Sequence, residues 1–264
     1  MPSVSVIIAT CDRPDMLVQT LQSVLEQDVG AQVIVIDDGV GFSAAAAVRG
    51  VGSNSVEYVV NPRPSGGRPA AVRNIGLARA EADLIHFLDD DDIVEPGYYR
   101  DALAMFRGAP EIGVVFGRIA PFGEDASLVA DEQRYFTQAG ERAMRCARLG
   151  SRWSFAASML FNPTLLVCSA GLVRRGHARA IGGFDPALPL VEDVDFYMRA
   201  MRRGRARFLD RPALGYRIGP SLMRQANRDR MIAESYVRMH RRYRQEHGTA
   251  EFMALKLLAK GLRA

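Results

Sequence analysis

Lysine is nearly absent from this chain of 264 residues, although arginine is abundant. Of the 34 basic residues only Lys256 and Lys260 are lysines, and both lie near the carboxyl terminus. The rest of the chain therefore contains neither a Walker-type phosphate loop nor a lysine that could form a Schiff base with a substrate. The sequence also lacks the G-x-S-x-G segment of serine hydrolases and the H-E-x-x-H segment of zinc proteases, so neither chemistry is indicated.

Cysteine is scarce as well. The three cysteines, Cys11, Cys146 and Cys168, are widely spaced and form no C-x-x-C pair. This spacing argues against a disulfide framework and against a zinc cage, and it is typical of proteins from a reducing compartment. The first residues show no basic region of the kind that opens a secretory signal. We therefore expect a cytoplasmic protein, either free or peripheral at the inner face of the membrane.

Long apolar runs are also rare. Only residues 153–173 form a long segment without charge, and its 21 residues would suffice to cross a bilayer. Asn162, Pro163 and Thr164 interrupt this segment in the middle, where a membrane span is most apolar. We therefore expect a buried strand and a loop here rather than a membrane span.

The net charge of +4 is unevenly distributed along the chain. Residues 221–264, the basic C-terminal extension, carry ten basic and four acidic side chains, a net +6, so the preceding residues carry −2. Because the body is not basic, we expect no nucleic-acid partner. In the extension Leu255, Leu258 and Leu262 share one face of a predicted helix. Three roles stay open for it: packing against the body, forming a homodimer, or binding an anionic membrane surface.

Short apolar runs alternate with helical patterns through the first half of the chain. This order predicts an α/β fold with a mostly parallel central sheet and helices on both faces. The predicted strands are residues 4–8, 33–36, 56–60, 84–88 and 112–116; the predicted helices are one capped by Asp12, then 69–79 and 96–106. The second half is less regular. There we expect helices at 131–149 and 191–203, a short strand at 165–168, and a helical C-terminal extension.

Acidic residues follow three of the predicted strands directly. They are Asp12, the pair Asp37 and Asp38, and four successive aspartates from Asp89 to Asp92. Ligands of such sheets bind at the carboxyl ends of the strands, so these groups should share one edge. Four adjacent carboxylates repel one another, and a hard cation such as Mg²⁺ or Mn²⁺, bridging to substrate phosphates, would neutralise them. A solvated acidic turn is the alternative.

Three further features bear on the chemistry. The first strand is not followed by G-x-G-x-x-G, so a nicotinamide or flavin site is not indicated. Arg68 and Arg73 flank the start of a predicted helix, where an arginine can hold a phosphate, although an exposed helical arginine fits equally. Glu192 and Asp193 begin another predicted helix. They could supply a general base or could simply interact with the helix dipole.

These segments together resemble the family 2 glycosyltransferases of the GT-A fold. The resemblance covers roughly residues 4–220 and rests on five motifs in the family's order. They are V-S-V-I-I-A-T-C-D-R-P at the first strand, V-I-V-I-D-D-G at the second, G-G-R-P-A-A-V-R-N-I-G at 66–76, F-L-D-D-D-D at 87–92, and G-G-F-D at 182–185 with Glu192 and Asp193. Each motif is weak alone, but the ordered set is specific.

The resemblance implies a layout and a set of roles. Residues 1–220 would form the GT-A domain, with a Rossmann-like nucleotide-sugar half at 1–118 and an acceptor half at 119–220, followed by the extension at 221–264. The implied site residues are these: Asp38 for the base, with Thr10 and Asp12 in the same pocket; Arg73 near the diphosphate; Asp89 and Asp91 for metal and ribose; Asp90 near the sugar nucleotide; and Asp193 as catalytic base.

The implied activity is transfer of a sugar from a nucleoside-diphosphate sugar to an acceptor hydroxyl, with inversion and with Mn²⁺ or Mg²⁺. The acceptor would be a glycan, a lipid-linked molecule or a small molecule in cell-surface glycan or glycoconjugate synthesis. Absence of Q-x-x-R-W favours a single transfer over processive synthesis. Two alternatives stay open: a non-catalytic nucleotide-sugar-binding module, and a sugar-nucleotide pyrophosphorylase, which usually has a glycine-rich first turn and a lysine.

Departures from the family's pattern concern two places. Ala9-Thr10-Cys11-Asp12 replaces a segment that usually contains an aromatic residue against the base, so the base is not specified by this motif. Tyr216 and Arg217 resemble a Y-R element, but Ile218-Gly219-Pro220 stands where a histidine usually follows. The sequence therefore assigns no catalytic role there.

Overall fold

The computed structural model describes residues 3–219 and 227–263. Its centre is one mixed sheet of eight strands in the order β3-β2-β1-β4-β7-β6-β8-β5. The strands are β1 (Val4–Thr10), β2 (Ala31–Asp37), β3 (Val56–Val60), β4 (Leu84–Asp89), β5 (Ile93–Val94), β6 (Ile112–Phe122), β7 (Gly171–Arg174) and β8 (Arg205–Arg217).

Ten α-helices and one short 3₁₀ turn, Cys168–Ala170, surround the sheet in the described residues. The helices are α1 (Pro14–Leu25), α2 (Ala44–Val51), α3 (Pro69–Arg79), α4 (Tyr98–Phe106), α5 (Ala126–Arg148), α6 (Ser154–Phe161), α7 (Arg175–Ala180), α8 (Glu192–Arg203), α9 (Arg228–His247) and α10 (Thr249–Gly261).

The first four strands confirm the predicted parallel sheet. β2 and β4 pair in parallel with β1 on its two sides, and β3 pairs in parallel with β2. The register places Thr10 opposite Asp37, and Ala9 opposite Asp89. The carboxyl ends of β1, β2 and β4 therefore meet at one edge of the sheet, as the strand-end aspartates predict.

The second half of the sheet is mixed in direction. β7 runs antiparallel to both β4 and β6, and β5 runs antiparallel to β8, whereas β6 and β8 are parallel. The prediction of a strand at 165–168 is wrong, because the strand of this region lies at Gly171–Arg174, after the 3₁₀ turn. The apolar run of Leu165 and Leu166 instead is a buried loop.

The uncharged segment 153–173 differs from its prediction in part: it ends in a buried strand after a loop, but eight of its 21 residues form the helix α6. Seven of the eight residues of α6 are buried, two of them serines, so the helix has no polar exposed face and shows no amphipathic period. It packs among α5, α8 and α10 in the protein core. Within the described ranges, no helix is both long enough and apolar enough to cross a membrane.

The basic C-terminal extension packs against the body through α9 and α10. Leu255 and Leu262 are buried, and Leu258 packs against the core cluster. Asn162 donates its side-chain N–H to the Ala259 carbonyl at 3.0 Å, which joins α10 to the end of α6. The leucine face of α10 is thus an internal contact. The boundary at 220 and 221 predicted from the sequence lies outside the described residues.

Candidate functional site

A cleft of about 740 Å³ opens at the edge where β1, β2 and β4 end. The second half of the chain closes it from the other side, through α5, the start of α8, the end of β8 and α9. Seven of the eight predicted site residues line this cleft: Thr10, Asp38, Arg73, Asp89, Asp90, Asp91 and Asp193. The eighth, Asp12, does not line it.

The carboxylate of Asp38 is held in a fixed orientation. It accepts hydrogen bonds from the Asn61 side-chain amide at 2.6 Å, the Ser65 backbone N–H at 2.8 Å and the Ser65 hydroxyl at 2.5 Å. The neighbouring Asp37 has a different task, because it accepts from the Gly39 N–H and from the Tyr58 hydroxyl and so braces the turn after β2. Only Asp38 faces the cleft.

Asp12 lies behind this turn rather than in the cleft. Its backbone is left-handed, with φ of 55°, and its carboxylate is 3.3 Å from the Ser43 hydroxyl. A Cβ at Gly39 would lie 2.5 Å from Asp12 Oδ1, so a larger residue there would displace the Asp12 carboxylate. The prediction that Asp12 caps α1 is wrong: Arg13 is at the N-cap position, and no side chain caps the helix.

The four aspartates after β4 divide into two pairs. Asp89 and Asp91 keep 32% and 21% of their side-chain surface exposed at the cleft. Asp90 is buried, accepts from the Thr10 hydroxyl at 2.7 Å, and has a pKa raised to about 7 because burial disfavours its charged form. Asp92 is buried too and accepts from the Arg217 N–H at 3.0 Å. Asp89 and Asp91 are therefore the more exposed carboxylates of the cleft, Asp90 lines it while buried, and Asp92 stabilises the turn.

Two arginines from distant positions neutralise the aspartates. Arg13 lies 2.8 Å from an oxygen of Asp90 and 2.6 Å from one of Asp91. Arg73 lies 2.6 Å from an oxygen of Asp89 and 2.6 Å from one of Glu192. Because both arginines are distant from the aspartates in sequence, the sequence alone shows the repulsion among the four carboxylates but not the cations that offset it.

Arg73 also joins the two halves of the cleft. Its side chain is only 4% exposed, and its guanidinium lies over the Phe184 ring at 5.3 Å. The adjacent Asn74 donates to the Phe184 carbonyl and accepts from the Phe184 N–H, both at 2.9 Å. A Cβ at Gly183 would lie 2.4 Å from Asn74 Oδ1, and Gly183 has φ of 71°, so this junction requires glycine.

Asp193 stands opposite the aspartate turn, in the first turn of α8. One carboxylate oxygen accepts from the Val194 N–H at 2.8 Å. Burial, followed by the negative charge of Glu192, raises the pKa of Asp193 to about 7. The preceding Val191 is left-handed, with φ of 55°, which is strained for a β-branched residue. A carboxylate of this kind can accept a proton near neutral pH.

Several residues of the cleft were not assigned from the sequence. Arg217 donates to the Asp91 carbonyl at 2.8 Å and to Gln19 at 2.7 Å, so the Y-R element fixes the aspartate turn. Tyr135, Tyr216 and Tyr236 line the cleft from α5, β8 and α9. Arg13 belongs to the first motif and could have been suggested by it. The tyrosines carry no motif that identifies them.

The carboxylates of the cleft could provide two ligands for a hard cation, but not a complete metal site made of protein side chains. In residues 3–219 and 227–263 no group of three or more histidine, cysteine, aspartate or glutamate side chains is placed to hold a metal ion. Asp89 and Asp91 nevertheless present oxygen donors to the cleft, and Mg²⁺-type ions are often held by two carboxylates with substrate phosphates. These residues therefore fit an ion that arrives with a phosphate-bearing ligand.

Comparison with known proteins identifies the family. The sequence profile described as Glycosyl transferase family 2 matches residues 5–164, more than half of the chain. The chain is similar to a pre-mycofactocin glycosyltransferase of Mycobacterium tuberculosis, with 35% identity over 181 residues. That alignment covers 66% of this chain and 35% of the relative, so the chain spans about a third of that protein's length.

Solved structures share the fold. Staphylococcus aureus TarS in complex with UDP-GlcNAc aligns with a TM-score of 0.68 and 17% identity, over 98% of this chain and 71% of that one. The mannosyltransferase PcManGT of Pyrobaculum calidifontis, in complex with GDP-Man and Mn²⁺, aligns with a TM-score of 0.60 and 16% identity, over 99% and 73%. The fold is thus the GT-A type that the motifs predict, and the chain belongs to glycosyl transferase family 2.

Proposed function

We propose that this chain transfers a sugar from a nucleoside-diphosphate sugar to an acceptor hydroxyl. The observation that carries the proposal is that one cleft contains both a carboxylate-rich strand edge and, across from it, Asp193 with a pKa raised to about 7. The strand edge offers hydrogen-bond acceptors and arginine side chains to a nucleotide and its phosphates. Asp193 offers a base to the hydroxyl of the acceptor substrate.

The donor would lie along the ends of β1, β2 and β4. Asp38, held by Asn61 and Ser65, presents an acceptor to an N–H of the base. Thr10 would line the same pocket, and Asp12 would support it from behind the Gly39 turn. Arg73 would act mainly by holding Asp89 in place, since two of its nitrogens contact Asp89 and Glu192.

Asp89 and Asp91 would hold Mn²⁺ or Mg²⁺ together with the diphosphate, with Asp90 buried behind them near the sugar nucleotide. When bound, such an ion neutralises the charge that develops on the leaving diphosphate. Arg13, which contacts Asp90 and Asp91, keeps this turn in place. The relatives support this assignment in that one structural neighbour is described with GDP-Man and Mn²⁺.

The transfer itself would be one displacement with inversion. The acceptor oxygen forms a bond to the anomeric carbon while the bond from that carbon to the phosphate oxygen breaks, and its electron pair leaves with the diphosphate. Asp193 takes the acceptor proton. Because the base and the leaving group act from opposite faces of the sugar, the product has the inverted configuration.

A thermal-shift screen of nucleoside diphosphates and nucleotide sugars, with and without Mn²⁺, tests the proposal. A ligand that binds only the folded state raises the melting temperature. We expect one nucleotide class to stabilise the wild type when Mn²⁺ is present, and Asp91→Asn to lose that effect. Asp83→Asn is the control, since Asp83 is 91% exposed and precedes the same strand at its opposite end. A lack of any shift in the wild type would contradict the donor site.

A further inference from the structure

One wall of the cleft comes from outside the matched family region. The family profile ends at residue 164, whereas α9 begins at Arg228. Ile232 and Tyr236 of α9 line the same cleft as Asp193. The basic C-terminal extension therefore contributes to the site and is more than a cover for the core.

The position of α9 relative to the catalytic half is fixed by buried contacts. Asp195 is fully buried, lies two residues after Asp193 on α8, and pairs with both Arg199 and Arg242. Arg242 also donates to Asp185 at 2.9 Å, and the His240 ring nitrogen is 2.8 Å from the Leu160 carbonyl. Asp193 and Asp195 are both on α8, and Asp195 holds Arg242 of α9. The position of α9 relative to Asp193 is therefore fixed.

The chemistry of this wall differs from that of the strand edge. Tyr135 of α5 and Tyr236 of α9 are half-buried, and Pro163, Leu190 and Val191 line the cleft beside them. Tyr135, Tyr236 and Asp193 all line this one cleft, and Tyr236 packs edge-on against His240 with ring centroids 5.9 Å apart. This wall therefore adds aromatic and aliphatic surface to a cleft in which Glu192, Arg73 and Arg228 also lie.

We propose that Tyr236, with Tyr135, forms a platform that binds the acceptor through a flat apolar ring face. This inference rests on the proposed transfer reaction and names the class of its acceptor: a molecule whose hydroxyl is carried on or next to a ring. Two sources share this chemistry, the C–H face of a pyranose and an aromatic group. Aromatic side chains bind such faces through large contact areas at a low cost in side-chain entropy.

Direct binding of ring compounds tests the platform without knowledge of the natural acceptor. Saturation-transfer NMR would use methyl glucoside, p-nitrophenyl glucoside and the acyclic polyol sorbitol, each with and without a nucleoside diphosphate and Mn²⁺. We expect the wild type to bind at least one ring compound and not sorbitol. Binding of p-nitrophenyl glucoside alone would assign the face to an aromatic group, whereas binding of both glucosides would assign it to a pyranose.

The variants identify the residue responsible. Tyr236→Ala should weaken the binding of ring compounds at least about tenfold, whereas Tyr236→Phe should retain it. Val237→Ala is the control and should match the wild type, because Val237 is 59% exposed on the same helix. Nucleotide binding should be unchanged in all three. Equal ring binding by Tyr236→Ala and Val237→Ala, or no ring binding by the wild type, would overturn the platform. Loss of nucleotide binding in the wild type would instead contradict the proposed donor site.

Discussion

The two sides of the cleft are built in different ways. The proposed donor side takes its carboxylates from short segments at the ends of three neighbouring strands, and its arginines from the N-cap of α1 and from α3, all before residue 93. The proposed acceptor side takes tyrosines and aliphatic residues from α5, α8, β8 and α9, which are spread over a hundred residues of sequence. Charged recognition is thus concentrated in motifs, whereas the apolar surface depends on how distant helices pack.

Arg73 and Asn74 of α3 connect these two sides. Arg73 contacts Asp89 on one side and Glu192 on the other, and Asn74 holds the Phe184 backbone. The comparison therefore predicts three grades of effect. Changing Arg73 should damage both sides, changing the charge beside the base should chiefly alter the pH dependence, and changing the anchor of α9 should affect the proposed acceptor side alone.

The largest effect is expected for Arg73→Met. It leaves Asp89 and Glu192 without their shared cation, so we expect a loss of about 3–5 kcal/mol in the free energy of unfolding. Displacement of the aspartate turn should slow transfer by about 100-fold. Urea unfolding and initial rates measure both. Arg79→Met, on the same helix and in an exposed pair with Glu57, should cost at most about 1 kcal/mol. If the two variants behave alike, Arg73 does not connect the sides.

The second effect concerns pH. Asp193 accepts a proton only when it is deprotonated, so with a pKa of about 7 its activity should fall as the pH drops below 7. Glu192 contributes to the raised pKa, second to burial, so Glu192→Gln should move the acidic limb of the kcat/KM profile to lower pH. Profiles between pH 5 and pH 9 would show this, the range being about two units on either side of neutrality. If the acidic limb does not move, Glu192 does not influence the pKa of the catalytic base.

The smallest effect is expected for Arg242→Ala. Asp195 keeps Arg199 as a partner, so the loss of one charge-assisted contact should cost about 1–3 kcal/mol in the free energy of unfolding. Binding of the ring compounds should weaken severalfold because α9 is less firmly held, and nucleotide binding should stay unchanged. Arg241→Ala, at an exposed neighbouring position, serves as the control. An equal loss on both sides of the cleft would contradict their separate construction.

The sequence predicted the carboxylate-rich strand edge well. Buried strands of valine and isoleucine are followed at once by aspartates. Because parallel strands end at the same edge of a sheet, the carboxylates meet there. The parallel register of β1 with β2 and β4 confirms that reasoning. The sequence could not show which of the four aspartates are buried. The burial of Asp90 and Asp92 depends on contacts with Thr10, Arg13 and Arg217.

The acceptor side was predictable only in part. The start of α8 with Glu192 and Asp193 follows from its motif, but α6 was not predicted, because a helix with seven of its eight residues buried shows no 3.6-residue period. Tyr135 and Tyr236 are ordinary residues of amphipathic helices until α5 and α9 are packed together. Their shared position in the cleft depends on tertiary contacts such as Arg242 with Asp195, which no local pattern encodes.

The most direct test of the whole account is to compare nucleotide binding with transfer in Asp193→Asn. Burial disfavours the charged form of Asp193, so the variant should melt no lower than the wild type at pH 8. We predict unchanged Mn²⁺-dependent nucleotide binding by calorimetry and transfer slowed by about 10²–10⁴-fold. Transfer at the wild-type rate, or loss of nucleotide binding together with transfer, would contradict the division of the cleft into a donor side and a catalytic acceptor side.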